Sequence, residues 1–194
     1  TSVRKHFGCV TRMHSGRSKA VRDNKDAMAA GEVELQNLTS VRKAFDLEAG
    51  EEWHAVASRE PRARLVRFHL LYAEKDYHDP SRCRWKARGV ALGNNERSVS
   101  DEKIVDRLNH VVPTSLVAIR LGMAYQTLLK DGVILALDVP GAYLLAPLSG
   151  DPTWIEMDRA LLPKRFQSMR RPCTRVWQAL YGLARAEHDW GRVA

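Results

Sequence analysis

The feature that most constrains the fold is an apolar run that ends in a carboxylate, Val133-Ile-Leu-Ala-Leu-Asp138. It follows a turn signal, Asp131-Gly132. A short apolar run bounded by turn residues predicts a strand that is buried on both faces. A carboxylate at the end of such a strand needs water, a hydrogen-bond donor or a cation, because a lone buried charge is costly. Pro140-Gly141 ends the predicted strand, so Asp138 is either a turn former or part of a site.

A predicted helix precedes this strand and begins at Pro113-Thr114-Ser115. From Leu116 to Leu128, apolar residues recur at helical spacing and form a wide stripe. A wide stripe indicates a well buried helix. We therefore expect a helix over 114–130 to flank a central strand over 133–139.

A long hairpin is predicted from two segments rich in β-forming residues, 64–72 and 84–92, around the polar loop 74–80. Strand alternation places Lys86 and Arg88 side by side on one face. A point charge beside a planar guanidinium suits the binding of a triphosphate. A solvated face of an edge strand is the alternative. The opposite face carries Trp85, Ala87, Gly89 and Ala91.

The rest of the chain contains weaker signals. Helical spacing begins after Asp23 or Asn24, either of which suits a helix N-cap, and continues to about Phe45. We expect a short packed segment at Trp53. Two strands are predicted over 153–157 and 174–180 and could pair with each other, and a final helix is predicted over 181–190. A basic cluster lies between those two strands: Lys164, Arg165, Arg170 and Arg171.

Charge and cysteine content restrict the class of partner. The 194 residues carry a net charge of +8 and a pI of about 9.7, which favours nucleic acid over a membrane surface. Residues 1–22 contain six basic side chains and no acid, and we expect a disordered basic arm or a solvated tail. The three cysteines are far apart, which excludes a Cys-x-x-Cys zinc motif and indicates a reducing, cytoplasmic or nuclear compartment. No apolar run approaches the ~18 residues of a membrane span.

Three segments, in this order, resemble the reverse transcriptase of Ty1/copia-type retrotransposons. Residues 86–94, Lys-Ala-Arg-Gly-Val-Ala-Leu-Gly-Asn, are similar to the family's Lys-Ala-Arg-Leu-Val-x-x-Gly strand. Residues 137–144, Leu-Asp-Val-Pro-Gly-Ala-Tyr-Leu, resemble its Leu-Asp-Val-x-x-Ala-Phe/Tyr-Leu motif. Residues 179–190, beginning Ala-Leu-Tyr-Gly-Leu, resemble Ala-Leu-Tyr-Gly-Leu-Lys-Gln-Ala-Pro-Arg-x-Trp. The resemblance covers roughly residues 30–194.

The resemblance implies an α+β fold, a fragment of the fingers and palm of a right-hand polymerase with an antiparallel sheet and packed helices. A helical segment over 23–60 would follow the arm, and the fingers hairpin would span 61–112. The palm helix and catalytic strand would span 113–145. A fingers–palm connection would follow over 146–180, and 181–194 would begin a palm helix.

The resemblance also implies RNA-directed DNA polymerisation on a template–primer with deoxynucleoside triphosphates and two magnesium ions. Asp138 would be the first catalytic carboxylate and would bind magnesium with the Val139 carbonyl. The triphosphate would be held by Lys86, Arg88 and the main chain near Gly141, Ala142 and Tyr143. Tyr143 would also be the gate that excludes a 2′-hydroxyl. Template contacts would come from Lys164, Arg165, Arg170, Arg171 and Arg185.

The sequence departs from the family pattern in ways that bear on activity. The family's Tyr-Val-Asp-Asp turn lies beyond the third motif, and this sequence contains no Asp-Asp pair. Gly89 replaces a leucine, Pro140 a polar residue and Glu187 a proline, changes expected to affect template and nucleotide contacts. We expect a fragment that is inactive alone, with a non-catalytic nucleic-acid-binding remnant as the alternative. A third interpretation is that the similarity to the family motifs arose by chance. It would be favoured if the structure did not bring together the four principal site residues, Lys86, Arg88, Asp138 and Tyr143.

Overall fold

The computed structural model describes residues 11–105, 115–135 and 138–193, and a six-stranded sheet organises that part of the chain. The strands are β1 Thr11–Ser15, β2 Glu51–Glu52, β3 Arg64–Lys75, β4 Arg84–Ala91, β5 Thr153–Glu156 and β6 Pro172–Arg175. The helices are α1 Lys19–Arg22, α2 Lys25–Gln36, α3 Trp53–Arg59, α4 Leu116–Gln126 and α5 Ala186–Gly191. This mixed content is compatible with the expected α+β class.

Strand β3 is the centre of the sheet because all other parts of the sheet are paired to it directly or through β5. One edge of β3 pairs antiparallel with β4, as the predicted hairpin requires. The other edge is divided between β1, which pairs antiparallel with 71–75, and β5, which pairs parallel with 64–67. β5 continues to β6 and β6 to β2, both antiparallel. The sheet is therefore mixed rather than antiparallel throughout, since a long connection brings β5 back beside β3.

The side-chain alternation of β4 agrees with the sequence prediction. Ala87, Gly89 and Ala91 are buried, whereas Lys86 and Arg88 are exposed. The buried face is lined by small residues, which lets helix α2 pack closely on β4. The hairpin thus has an inner face against the helix and an outer face that carries the charges.

Helix α2 begins where the sequence predicts, because the side chain of Asn24 accepts hydrogen bonds from the amides of Asp26 and Ala27, 2.9 and 3.0 Å away. It continues as a wider turn over Asn37–Val41 and ends before the predicted Phe45. Its buried Glu34 accepts a hydrogen bond of 3.0 Å from the Gly89 amide on the free edge of β4.

Two apolar clusters form the core on opposite faces of the sheet. The main cluster lies on the inner face and includes Leu38, Phe45 and Ile155, with the Phe45 and Phe68 rings 5.4 Å apart. A smaller cluster joins α3 to the outer face of β3, β5 and β6. Its members are Trp53, Val56, Ala63, Leu65, Trp154 and Cys173. Burial in this cluster raises the pKa of the Cys173 thiol to about 12.

The expectation of a disordered arm over 1–22 is wrong for residues 11–22. Residues 11–15 form β1, and Val21 in α1 is fully buried in the main cluster. The basic composition did not reveal this, because one buried valine and a row of backbone hydrogen bonds are enough to hold the segment. Residues 1–10 lie outside the described residues.

The predicted buried strand over 133–139 is wrong for its described residues. Residues 133–135 and 138–139 lie outside strands and are exposed, and 136–137 are outside the described part. Helix α4 begins close to the predicted start, with Ser115 as its N-cap, but it is shorter than 114–130, and none of its described side chains is buried. The reason is that, among the described residues, no strand pairs with 133–139 and no layer covers α4. No described helix is both long enough and apolar enough to cross a membrane.

Gly89 and Gly122 offer a matched test of this packing. A Cβ at Gly89 would lie 2.5 Å from Leu38 and 2.7 Å from Phe68, whereas Gly122 in α4 has open space around it. We expect Gly89→Ala to lower the free energy of unfolding by about 1–3 kcal/mol through overpacking. Gly122→Ala should leave it unchanged or raise it by up to about 1 kcal/mol. Urea unfolding followed by circular dichroism measures both, and equal effects would contradict the packing of α2 on β4.

Candidate functional site

The structure brings Arg88 and Tyr143, which come from separate motifs, close to the ring of Tyr181. The Arg88 guanidinium carbon lies 5.9 Å from the centroid of the Tyr181 ring, and the Tyr181 and Tyr143 ring centroids are 5.2 Å apart. Tyr181 was not predicted as a site residue. The sequence signal that could have identified Tyr181 is its position in the third motif.

Tyr181 is held in place by backbone contacts between the third motif and the end of β4. The Ala91 amide donates to the Tyr181 carbonyl at 2.8 Å, and the Gly93 amide donates to the Gly182 carbonyl at 3.0 Å. Gly182 has a φ of +88°, and a Cβ there would lie 2.0 Å from the Ala91 carbonyl oxygen. Only glycine therefore permits this approach of the two motifs.

Residues 138–145 make a compact turn beside this cluster. Gly141 adopts a left-handed conformation, φ +69°, at the start of a short helical turn over Ala142–Leu145. A hydrogen bond of 3.2 Å from Arg42 to the Pro140 carbonyl fixes the turn from the side of α2. The Val139 carbonyl accepts a hydrogen bond of 3.1 Å from the Ala142 amide. The carbonyl expected to bind metal and the amide expected to face a triphosphate are thus bonded to each other.

Tyr143 is half-buried, and its hydroxyl donates to Glu187 on α5 over 3.4 Å. Burial raises the pKa of the Tyr143 phenol, and the neighbouring Glu187 carboxylate raises it further. Glu187 is one of the departures from the family pattern. Here it gives the Tyr143 hydroxyl a partner and helps to fix the orientation of the ring.

The departure at Gly89 also has a structural explanation, which corrects the expectation that it changes nucleotide contacts. Gly89 is buried in the main core, and the space of a larger residue is filled by Leu38 and Phe68. The change therefore affects the packing between β4 and α2.

The residues expected to bind magnesium do not form a metal site among the described residues. Asp138 is exposed. Within the described part of the chain, no three His, Cys, Asp or Glu side chains are grouped so that they could hold a metal ion. Asp138 supplies one carboxylate, and a magnesium ion normally needs more than one protein or substrate oxygen. A complete two-magnesium centre would need ligands from outside the described residues.

Lys86 and Arg88 create a concentrated positive charge on the outer face of β4. The Arg88 guanidinium lowers the pKa of the Lys86 ammonium, and partial burial and Lys75 lower it further. Glu34 lies 3.8 Å from Arg88 and partly offsets this repulsion. Such a pair of like charges is stabilised by an anion bound between them.

The five basic residues expected to contact a template do not form one surface. Arg165 pairs with Glu48 and lies over the Phe166 ring, 4.6 Å from its centroid, next to the exposed Lys164. Arg185 donates to the Ser149 hydroxyl at 3.1 Å and supports a loop. The other two, Arg170 and Arg171, line a cavity with Arg67 and Arg97. Arg67 and Arg97 were not predicted as site residues, because no motif in the sequence pointed to them.

The charge coupling at β4 can be tested by titrating Lys86. Because Arg88 makes the largest contribution to the lowered pKa of Lys86, we expect Arg88→Gln to raise that pKa toward the value of an exposed lysine. Arg84→Gln removes the same charge from the same strand and should raise the pKa of Lys86 less. The side-chain carbon chemical shift of Lys86, followed by NMR against pH, measures the effect. Equal effects of the two variants would contradict the assigned cause.

A comparison with curated proteins finds similarity to a retrovirus-related Pol polyprotein from transposon RE2 of Arabidopsis thaliana. The two sequences are 29% identical over 140 residues, which is 71% of this chain and 9% of that polyprotein. No family model matches the sequence, and no solved structure matches the fold. The similarity is consistent with a retrotransposon-derived protein that corresponds to a small part of the polyprotein's length.

Proposed function

We propose that this chain is the nucleotide- and template-binding part of an RNA-directed DNA polymerase of a copia-type retrotransposon. The observation that carries the proposal is the cluster in which Arg88 on β4 and Tyr143 meet through Tyr181. These residues come from three separate motifs, and the fold brings them together. The similarity to a transposon Pol polyprotein supports the same assignment.

Lys86 and Arg88 are suited to bind the triphosphate of an incoming nucleotide. Both side chains are exposed on one face of a strand whose other face is fixed in the core. The guanidinium provides paired N–H donors, and the ammonium provides a compact positive charge. The lowered pKa of Lys86 shows that the two positive charges repel each other, which an anionic ligand would relieve.

Tyr143 is suited to select the sugar of that nucleotide. Its ring is positioned by the Tyr181 ring on one side and by the hydrogen bond to Glu187 at its hydroxyl. A rigid aromatic ring beneath the sugar would leave no room for a 2′-hydroxyl, the group that distinguishes RNA from DNA. The proposal therefore favours deoxynucleotides as ligands.

The proposed reaction of the complete enzyme is templated nucleotidyl transfer. The primer 3′-hydroxyl attacks the α-phosphorus of the nucleotide, a new P–O bond forms, and pyrophosphate leaves. Lys86 and Arg88 would stabilise the negative charge that develops on the leaving group. The described residues supply Asp138 as one carboxylate, so the contribution proposed for this chain alone is binding.

A second candidate is a nucleic-acid-binding remnant that performs no chemistry. The observations that favour it are that Asp138 belongs to no group of three possible metal ligands within the described part of the chain, and that a hydrogen bond engages the Val139 carbonyl. Such a protein would bind oligonucleotides through its basic surface without selecting a sugar. Sugar selection by Tyr143 is the property that separates the two candidates.

We expect the 194-residue chain to bind a fluorescent deoxynucleoside triphosphate, and Lys86→Gln/Arg88→Gln to weaken that binding about tenfold or more, since each charged contact contributes about 1.5–3 kcal/mol. Lys19→Gln/Lys25→Gln, which removes two exposed charges from α1 and α2, should have little effect. Tyr143→Ala should reduce the preference for deoxynucleotides over ribonucleotides. Unchanged sugar preference would favour the second candidate.

We expect no primer extension by the 194-residue chain with magnesium and deoxynucleotides, because one carboxylate binds magnesium poorly. In a longer protein that carries the family's Tyr-Val-Asp-Asp turn, Asp138→Asn should abolish extension. Gel analysis of a labelled primer measures both. Robust extension by the chain alone would contradict the divided site, and an active Asp138→Asn variant would contradict the role of Asp138.

A further inference from the structure

A cavity of about 410 Å³ opens on the outer face of the sheet, away from the Tyr143 cluster. Four arginines line it together with two acidic residues: Arg67, Arg97, Arg170, Arg171, Asp101 and Glu156. Its volume lies within the range of ligand-binding sites in proteins. Its lining is mainly polar, so a charged ligand suits it better than an apolar one.

The cavity is built on well fixed backbone. Leu65, only 2% exposed, lies at its base, and its amide and carbonyl both hydrogen-bond to the backbone of Arg97, at 2.8 and 2.9 Å. The amides of Arg170 and Arg171, which also line the cavity, donate to the two carboxylate oxygens of Glu52, each at 2.8 Å. The four arginines are therefore attached to positions that the fold holds constant.

The charges in the cavity leave an excess of positive charge for a ligand. Four guanidinium groups and two carboxylates give a net charge of +2. Glu156 lies between Arg171, at 3.4 Å, and Arg67, at 3.9 Å, and it holds both side chains near the cavity. The Arg170 guanidinium makes no ion pair with another described residue, and the Arg67 side chain is 63% exposed. These two side chains are the ones most available to an anion.

The cavity opens on the face of the sheet from which the Arg88 side chain leaves β4. Leu71 on β3 is directly opposite Arg88 on β4, so both side chains lie on the outer face. Arg67 precedes Leu71 by four residues, an even number, and therefore lies on the same face about 13 Å away along the strand. His69 lies between them on this face, and no acidic residue of β3 separates Arg88 from Arg67. A nucleic-acid strand that passes Arg88 can continue across β3 to the cavity.

We propose that the Arg67–Arg97–Arg170–Arg171 cavity binds the phosphate backbone of a single-stranded nucleic acid. This inference rests on the proposed function, because it extends the nucleotide site into a path for the strand. Guanidinium groups bind phosphate oxygens in a paired geometry and also stack on bases. A flexible single strand can place a phosphate in a recess, whereas a duplex carries its phosphates on a stiff convex surface. Binding is independent of sequence, since phosphates carry no sequence information.

The test measures the binding of fluorescent dT12 by the full 194-residue chain as a function of NaCl concentration. We expect Arg67→Gln/Arg170→Gln to weaken binding about tenfold or more and to reduce the slope of log K against log salt by about 1.4, since each contact with a single strand contributes about 0.7. The Lys19→Gln/Lys25→Gln variant removes the same net charge from the helices on the opposite face, and it should lower the slope far less. Thermal unfolding of both variants serves as the control for correct folding.

Further measurements separate the failure of this inference from the failure of the proposed function. If Arg67→Gln/Arg170→Gln behaves like the control while Lys86→Gln/Arg88→Gln weakens triphosphate binding, the cavity assignment is overturned and the nucleotide site survives. If only Arg67→Gln/Arg170→Gln weakens dT12 binding and Lys86→Gln/Arg88→Gln leaves triphosphate binding unchanged, the cavity survives and the proposed nucleotide site fails. Triphosphate affinity should not change in Arg67→Gln/Arg170→Gln.

Two arms identify the ligand. In the first experiment, the binding of a 12-base-pair duplex is measured. If Arg67→Gln/Arg170→Gln weakens binding of the duplex as much as binding of dT12, the assignment to a single strand is overturned. In the second experiment, inorganic phosphate competes with dT12 and is compared with chloride at equal ionic strength. If phosphate displaces dT12 more strongly than chloride from the wild-type chain, but not from Arg67→Gln/Arg170→Gln, the cavity binds free phosphate and the assignment to a single strand is overturned. Displacement that depends on ionic strength alone supports the strand.

Discussion

The candidate site depends on one close approach between backbones, the docking of Tyr181-Gly182 on the end of β4. Two hydrogen bonds join these segments, and the left-handed Gly182 lets the Ala91 carbonyl come within reach. The contact fixes Tyr181 against both Arg88 and Tyr143. Without this docking, Tyr181 would not link β4, which carries Arg88, to the turn after Asp138, which carries Tyr143. Gly182 therefore determines whether the charged and aromatic parts of the site share one surface.

Features of this fold that neighbouring residues determine could be predicted from the sequence, whereas features that depend on distant residues could not. The hairpin, its alternation and a helix cap at Asp23 or Asn24 were predicted because neighbouring residues determine them. The run over 133–139 was predicted as buried because apolar residues avoid water, but burial also needs a partner, which the sequence of that run cannot supply. Arg67 and Arg97 were missed because the cavity joins them to Arg170 and Arg171, from which they are separated by at least 70 residues.

Two departures from the family pattern have local compensation in this fold. Gly89 removes a side chain where Leu38 and Phe68 already fill the core, and its amide is satisfied by the buried Glu34. Glu187 introduces a carboxylate where the Tyr143 hydroxyl can donate to it. A chain under no structural constraint would leave such changes as a clash or an unpaired polar group. The fold around the site is therefore self-consistent even where the motif is altered.

The exposed apolar side chains of α4 have a practical consequence for handling the protein. Leu116, Val117, Leu121 and Met123 are each more than half exposed, and patches of this kind promote association. Salt would weaken the nucleic-acid binding proposed for the basic face, whereas a salt with a strongly hydrated anion strengthens contacts between apolar surfaces. Ammonium sulfate would thus release bound nucleic acid and precipitate the chain in the same step. Sodium chloride gives the ionic strength with less of this salting-out and is the better choice for purification.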